Sequence, residues 1–163
     1  MTTTSRPPDP ATPLDALVRE RREWARDGRR VVFTNGCFDL LHPGHLSLLE
    51  AARAHGDLLV VGLNSDRSVR AQKGDGRPVN PEAERAEALL ALECVDRVVV
   101  YDEDTPAAVI DALRPSVLVK GADWAADAIV GADVVIRDGG QVVRVPVVEG
   151  KSTTSLVDRI RRP

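Results

Sequence analysis

Short, unbroken apolar segments alternate with segments of helical periodicity along most of this chain of 163 residues. The segments predicted as strands are 31–34, 58–63, 97–101, 117–119 and 141–145. Strands that are apolar on both faces and separated by helices indicate a parallel sheet covered on both sides. The sequence therefore predicts a single α/β domain over residues 13–163, built on a Rossmann-like, doubly wound, five-stranded parallel sheet.

The segments around the strands carry apolar residues at helical spacing. Helices are predicted over 13–27, from Pro43 to His55-Gly56, over 81–93, 106–113 and 153–161. Asn80 is expected to cap the third of these helices, Asp104 or Thr105 the fourth, and Ser152 the last. The segment 132–138 fits a strand or a helix, and because parallel strands need a crossover between them we predict a helix.

Composition limits the classes of function that the chain can have. Apolar residues make up 43% of it and aromatic residues only 3%, which predicts an aliphatic core. The net charge of −3, with both signs interspersed, predicts no nucleic-acid partner. No apolar run approaches a membrane span, and the N-terminus lacks a signal-peptide pattern, so we expect a soluble, cytoplasmic protein. Residues 1–12 are rich in Thr and Pro and predict a disordered leader.

The motif with the strongest chemical content follows the first strand, where residues 34–45 read TNGCFDLLHPGH. A helix that begins near Pro43 would present free backbone N–H groups and a positive dipole to an anion. His42 and His45 are three positions apart and share a face of its first turn, while Gly44 permits close approach of a phosphate. Two imidazoles there suit the stabilisation of a triphosphate while its bridging bond breaks.

A zinc site is the alternative interpretation of the two histidines. It lacks a third ligand at a typical spacing. The two cysteines, Cys37 and Cys94, also lie far apart and without metal-ligand spacing. We interpret both as small buried residues, with a redox role for Cys37 as the alternative.

Polar residues also follow the other predicted strands, at the edge where parallel sheets bind ligands. Asp66 follows the second strand, where it either holds substrate hydroxyls or caps a helix. Lys73 is expected in a glycine-rich loop, 73–77, whose flexibility would let its ammonium group close over phosphates. Lys120 follows the fourth strand, a position that favours ligand contact over burial. The last helix opens with hydroxyl side chains at 152–154, which predict a second anion site compatible with capping.

Together these motifs resemble the HxGH nucleotidyltransferases with a cytidylyltransferase-like fold, and within that group the heptose 1-phosphate adenylyltransferases. The matching stretches are FTNGCFDLLHPGH at 33–45, NSDRSV at 64–69, KGDGRPV at 73–79, VKGADW at 119–124 and EGKSTTS at 149–155. HxGH alone is shared with class I aminoacyl-tRNA synthetases, which are much longer. The similar glycerol 3-phosphate cytidylyltransferases carry an Arg-Thr pair where this chain has Val147 and Val148, and they lack a lysine like Lys120.

The resemblance implies an adenylyltransferase that moves AMP from ATP to a heptose 1-phosphate, giving ADP-heptose and pyrophosphate. The implied cofactor is Mg²⁺ carried by the triphosphate, with no metal held by the protein alone. A separate sugar kinase would supply the acceptor, and a homodimer is the implied assembly. The alternatives are a cytidylyltransferase acting on a polyol phosphate such as glycerol 3-phosphate, and a non-catalytic nucleotide-binding regulator.

The expected site residues fall into three groups. The catalytic group is His42, His45 and Lys73. The nucleotide-binding group is Thr34, Asn35, Gly36, Phe38, His42, Gly44, His45, Lys120, Gly121, Ser152, Thr153 and Thr154. The substrate-binding group is Asp39, Asn64, Asp66, Lys73, Arg85 and Asp123. The resemblance places Arg85 at the triphosphate or the acceptor phosphate, with an exposed helical arginine as the alternative.

Overall fold

The computed structural model describes residues 9–162, and a parallel sheet of five strands lies at its centre. The strands are β1 (Val31–Gly36), β2 (Leu58–Asn64), β3 (Arg97–Tyr101), β4 (Val117–Gly121) and β5 (Gln141–Val145). Their order in the sheet is β3-β2-β1-β4-β5, so the winding reverses between the neighbours β1 and β4. The predicted Rossmann-like α/β fold is confirmed, and its ligand crevice is expected at the carboxyl ends of these two strands.

Helices cover both faces of the sheet. They are α1 (Leu14–Arg26), α2 (Pro43–Arg53), α3 (Asp66–Lys73), α4 (Glu82–Leu90), α5 (Ala107–Leu113), α6 (Ala132–Arg137) and α7 (Thr153–Arg161). On one face α1, α5 and α6 pack around Leu17, Ile110 and Val135. On the other face α2 and α4 pack around Leu49 and Leu89. Within residues 9–162, none of the helices has the length and apolar character to cross a membrane.

The segment between β4 and β5 folds as α6, which confirms the predicted crossover helix. Helix α3 was not among the predicted helices and was implied only by the alternative role of Asp66 as a cap, because its sequence DRSVRAQK is polar and buries only Ser68 and Val69. Lys73 is the last residue of this helix, so its placement in the glycine-rich loop was wrong. The loop begins at Gly74, and the Lys73 side chain extends from a helix end.

Two predicted helix caps were wrong. Pro81 precedes α4 in place of Asn80, and Pro106 precedes α5 in place of Asp104 or Thr105. A proline supplies the φ that entry into a helix needs, and it has no N–H group to satisfy. Neither helix therefore uses a side-chain cap.

The predicted leader, 1–12, lies largely outside the described residues. Its last part, 9–12, is bound to the fold, since the Thr12 N–H donates to the Val98 carbonyl at 2.7 Å. Ala11 packs against the core formed with α2 and α4. The domain therefore begins before Pro13, and the leader prediction was wrong for this stretch.

Candidate active site

A two-lobed cleft opens at the carboxyl ends of the strands, beside the reversal point between β1 and β4. We call the part that reaches Asn64 and Tyr101 the β3 lobe, and the part that reaches His42 and Ser152 the α7 lobe. Their volumes are about 300 and 360 Å³. Both lobes are lined by Asn35, Gly36, Cys37, Phe38, His45, Lys73, Lys120, Trp124 and Thr153. The cleft lies where open α/β sheets bind their ligands.

The two motif histidines line this cleft from the first turn of α2. Their rings are stacked, with centroids 3.8 Å apart and an interplanar angle of 22°. His42 is also the N-cap of α2, because its Nδ1 accepts the Gly44 N–H at 3.1 Å. The proton of neutral His42 therefore lies on Nε2, which leaves this ring one donor. A Cβ at Gly44 would lie 2.9 Å from Cε1 of His42, so the stacked arrangement itself requires glycine.

Both histidines are neutral at pH 7. Burial, aided by repulsion from His42, lowers the pKa of His45 to about 4. Burial and the charge of Lys151 lower the pKa of His42. Nδ1 of His45 is buried and, among the described residues, has no hydrogen-bond partner. An anion in the cleft would therefore meet two neutral hydrogen-bond donors, and its counter-charge must come from other side chains.

Lysines from three elements supply that charge. Lys73 ends α3, Lys120 lies near the end of β4, and Lys151 precedes α7. Nζ of Lys120 lies 3.4 Å from the carbonyl oxygen of Asn35 and 4.9 Å from the ring centroid of Trp124. Burial lowers the pKa of Lys120 to about 8, so the group remains a cation at pH 7. Its contacts with a carbonyl and a ring leave its charge available to an anion.

Helix α7 begins at the cleft. Ser152 caps it in a capping box, with Oγ accepting the Ser155 N–H at 3.0 Å, which confirms the predicted cap. Oγ1 of Thr153 donates to the Asp39 carbonyl at 2.8 Å, which ties the helix to the loop after β1. Thr154 lines the α7 lobe. The N-termini of α2 and α7 therefore border one lobe, and each is suited to an anion.

Three predicted ligand residues, Thr34, Asp66 and Arg85, do not line either lobe. Thr34 is fully buried within β1. Arg85 is only 2% exposed, so it is not the exposed helical arginine of the alternative prediction either. Its Nη1 donates to the carbonyl oxygens of Cys37 at 2.7 Å and Asn64 at 2.9 Å. Arg85 therefore joins the end of β2 to the loop after β1, in place of the predicted phosphate contact.

Two predicted substrate carboxylates are also engaged by the protein. Asp66 forms an ion pair with Arg85 at 2.8 Å, and the cap of α3 is Ser65. Asp39 borders the β3 lobe, but it is 1% exposed and accepts from Nε of Arg77 at 3.1 Å and the Val79 N–H at 2.7 Å. These bonds hold the loop after α3 against the loop after β1. Both carboxylates are therefore engaged by donors of the protein, Asp39 at the edge of the cleft and Asp66 outside it.

The remaining predicted residues lie where ligands would reach them. Asn64 lines the β3 lobe, and Gly121 and Asp123 line the α7 lobe. A Cβ at Gly121 would lie 2.5 Å from Oδ1 of Asp123 and 3.3 Å from Val147, so this close approach requires glycine. Cys37 lines both lobes, and burial raises the pKa of its thiol, which is therefore protonated at pH 7.

Sequence reasoning missed Tyr101, whose only sequence signal is its place at the carboxyl end of β3. Its hydroxyl accepts from Nδ2 of Asn35 at 3.0 Å and donates to Oδ1 of Asn64 at 2.9 Å. Nδ2 of Asn64 donates to Oγ of Ser68, which donates to the Glu103 carbonyl. Each group in this series donates to the next one, from Asn35 to the Glu103 carbonyl. The series therefore fixes which atom of each amide is the donor and which is the acceptor. Other lining residues that were not predicted include Gln72, Arg77, Thr105, Pro106, Pro146 and Lys151.

Comparison with curated proteins gives relatives that cover most of this chain. The bifunctional protein HldE of Hyphomonas neptunium is 53% identical over 147 residues, which are 90% of this chain and 30% of that protein. HldE of Mesorhizobium japonicum is 59% identical over 150 residues, which are 91% of this chain and 30% of that protein. The chain thus spans about 30% of the length of these relatives.

Solved structures share the fold. A lipopolysaccharide core biosynthesis protein from Thermoplasma volcanium superposes with a TM-score of 0.60 at 26% identity, covering 76% of this chain and 100% of that one. A pantoate-beta-alanine ligase from Francisella tularensis gives a TM-score of 0.59 at 14% identity, covering 88% of this chain and 68% of that one. At this identity the likeness shows the fold alone. The family model of cytidylyltransferase-like proteins matches residues 33–154, from β1 to the first turn of α7. The chain therefore belongs to the cytidylyltransferase-like family.

Proposed function

We propose that the protein transfers AMP from ATP to a heptose 1-phosphate and releases pyrophosphate. The observation that carries this proposal is the stacked pair of neutral histidines at the N-terminus of α2, in a lobe also bordered by the N-terminus of α7. The resemblance of the five motifs to heptose 1-phosphate adenylyltransferases supports the acceptor. The likeness to HldE proteins is consistent with it. A sugar kinase would supply this acceptor in the cytoplasm.

The chemistry of the two lobes suggests which substrate each takes. The α7 lobe combines two helix N-termini with lysines, which suits a triphosphate. The β3 lobe contains the neutral amides of Asn35 and Asn64 and the hydroxyl of Tyr101, which suit sugar hydroxyls. Lys73 and Arg77 border the β3 lobe and would hold the acceptor phosphate. Because the two lobes share part of their lining, the acceptor phosphate in one lobe would lie next to the α-phosphorus of ATP in the other.

In this arrangement an acceptor phosphate oxygen attacks the α-phosphorus in line while the bond to pyrophosphate breaks. The attacking oxygen is ionised at neutral pH, so catalysis needs positioning and charge stabilisation but no general base. His42 would donate from Nε2 to a phosphate oxygen, and the adjacent ring of His45 would donate to another. Lys120 and the N-terminus of α7, which border the α7 lobe, would offset the charge that gathers on the leaving pyrophosphate.

Mg²⁺ would arrive with the triphosphate. Within residues 9–162, no group of three or more His, Cys, Asp or Glu side chains could hold a metal ion. Asp39, a carboxylate of the cleft, already accepts three hydrogen bonds. Because Mg²⁺ prefers phosphate oxygens and water to an all-protein cage, this cleft is compatible with an ion held mainly by the substrate.

The test is pyrophosphate release by the purified protein with Mg²⁺. ATP, CTP, GTP and UTP are each combined with the heptose 1-phosphate anomers and with glycerol 3-phosphate. Turnover confined to ATP with a heptose 1-phosphate supports the proposal and identifies the anomer. Turnover with CTP and glycerol 3-phosphate would contradict the proposed substrates but would agree with the proposed mechanism. Nucleotide binding without turnover in any combination contradicts the proposed reaction and favours a regulatory protein.

Nucleotide affinity is expected to fall as the pH rises through about 8. The Lys120 cation is present below its pKa of about 8, and a bound triphosphate raises that pKa. The free protein then loses the proton at a lower pH than the complex, so binding weakens by up to about tenfold per pH unit. Isothermal titration between pH 7 and 10 measures this change. The variant Lys120→Met should bind the nucleotide more weakly at pH 7, and its affinity should not fall further as the pH rises. The control Lys151→Met should still show the fall in affinity with rising pH.

Tyr101→Phe is expected to lower kcat/KM for the sugar phosphate by about tenfold, a change of about 1.4 kcal/mol. The variant leaves Nδ2 of Asn35 and Oδ1 of Asn64 without their shared partner, so the amides lose their fixed orientation. Nucleotide affinity should change little. Steady-state kinetics with each substrate varied in turn measures both values, and Ser68→Ala, one bond farther along the same chain, should show a smaller effect. A loss confined to nucleotide affinity would contradict the assignment of the β3 lobe.

A further inference from the structure

A separate cavity lies at the opposite edge of the sheet, where β1, β4 and β5 begin. Its volume is about 420 Å³, larger than either lobe of the cleft. Three arginines line it: Arg21 from α1, Arg30 immediately before β1, and Arg114 after α5. The proposed reaction gives this cavity no role.

Two of the three arginines of this cavity, Arg21 and Arg30, are not paired with acidic groups of its lining. Its lining includes three guanidinium groups and one carboxylate, that of Asp138, which leaves two positive charges. Arg114 forms the ion pair with Asp138, with Nε 2.6 Å from Oδ2 and Nη2 3.1 Å from Oδ1. In the described part of the chain, Arg21 and Arg30 form no ion pair with a carboxylate within 4.0 Å.

Neutral acceptors hold the two unmatched guanidinium groups in place. Nη2 of Arg21 donates to the Arg114 carbonyl at 3.1 Å, and Nη2 of Arg30 donates to Oε1 of Gln141 at 3.1 Å. Nε of Arg21 is buried and lacks a partner among residues 9–162. This burial lowers the pKa of the Arg21 guanidinium. A partly desolvated cation without a counter-ion is unfavourable, and an anion in the cavity would relieve that cost.

We propose that this cavity binds a phosphate-bearing small molecule at a site separate from the catalytic cleft. A phosphomonoester is close to a dianion at neutral pH, which matches the two unpaired guanidinium groups. The planar guanidinium fork also fits phosphate oxygens in pairs. The bond from Arg21 to the Arg114 carbonyl caps the end of α5, yet it uses only one of the donors that an arginine carries. The remaining donors are available to a ligand.

The test is a titration of the full chain at constant ionic strength, in which binding is monitored by NMR. Sodium phosphate is the first probe, and glycerol 2-phosphate the second, because it carries an organic group. We expect saturable shifts of the Arg21 and Arg30 Nε signals and of the Gly139 amide. Signals from Gly44 and Thr154 report the catalytic cleft separately, so this test does not depend on the proposed reaction.

The double variant Arg21→Gln and Arg30→Gln should weaken binding at this cavity by about tenfold or more, since each lost charged hydrogen bond contributes appreciably. The matched control is Arg19→Gln, on the same helix but exposed and paired with Asp15, which should bind as the wild type does. If the double variant does not fold, Arg30→Gln alone provides the comparison. Shifts that never saturate, shifts confined to the cleft, or undiminished binding by the folded variant would each overturn the proposal.

Discussion

Replacing His45 with alanine is expected to lower kcat for pyrophosphate release by about 10²–10⁴-fold, the range found when a charge-stabilising or proton-donating group is removed. His45 lines both lobes of the cleft, so its ring lies beside both proposed substrates. Its loss also removes the stacking partner of His42. Because Nδ1 of His45 has no partner within residues 9–162, the substitution breaks no hydrogen bond of that atom and the fold should persist.

The matched control for this substitution is His55→Ala. His55 follows α2 at its other end and is exposed, so its loss should leave kcat unchanged. Single-turnover measurements at saturating ATP separate a slower chemical step from weaker binding. Near-normal turnover by a folded His45→Ala protein would contradict the assigned role. A rise in KM alone would instead make His45 a residue of substrate binding.

The fold could be predicted because β1, β2 and β4 each begin with an unbroken apolar run, a pattern typical of the buried strands of a parallel sheet. Helix α3 could not, because DRSVRAQK owes its position to bonds with distant loops more than to its own apolar face. The histidine motif could be recognised because its chemistry is local. Both histidines belong to one helix turn, so no long-range contact was needed to bring them together.

The features of the candidate site that the sequence did not predict have a common physical cause. Side chains of a strand alternate between its faces, so Thr34 and Asn35 do not share an environment although they adjoin in the motif. Arg85 and Asp39 are charged, and charged residues are seldom buried without partners. Their burial depends on backbone groups distant in sequence, which a linear reading does not supply. The place of Tyr101 in the site was not predicted for the same reason, since its hydrogen-bond partners come from β1 and β2.

The correction at Arg85 leads to the second large effect. Arg85→Met is expected to lower the free energy of unfolding by about 3 kcal/mol, near the lower end of the range for a broken buried ion pair. The substitution nearly preserves side-chain length, but it leaves the carbonyl oxygens of Cys37 and Asn64 without their donor. Asp66, the acidic partner, is 35% exposed, so water compensates part of the lost charge. Urea unfolding followed by circular dichroism measures the change.

Two further variants distinguish this structural role from a direct contact with phosphate. Arg19→Met removes an exposed arginine from an ion pair on α1 and should leave stability essentially unchanged. Arg85→Lys keeps the charge, but one ammonium group cannot bridge three carbonyl oxygens and a carboxylate, so the variant should lose much of the same stability. If Arg85 acted on phosphate instead, Arg85→Lys would remain as stable as the wild type while kcat fell. A joint loss of stability and nucleotide affinity is the expected result, because Arg85 holds the loop after β1 on which the cleft depends.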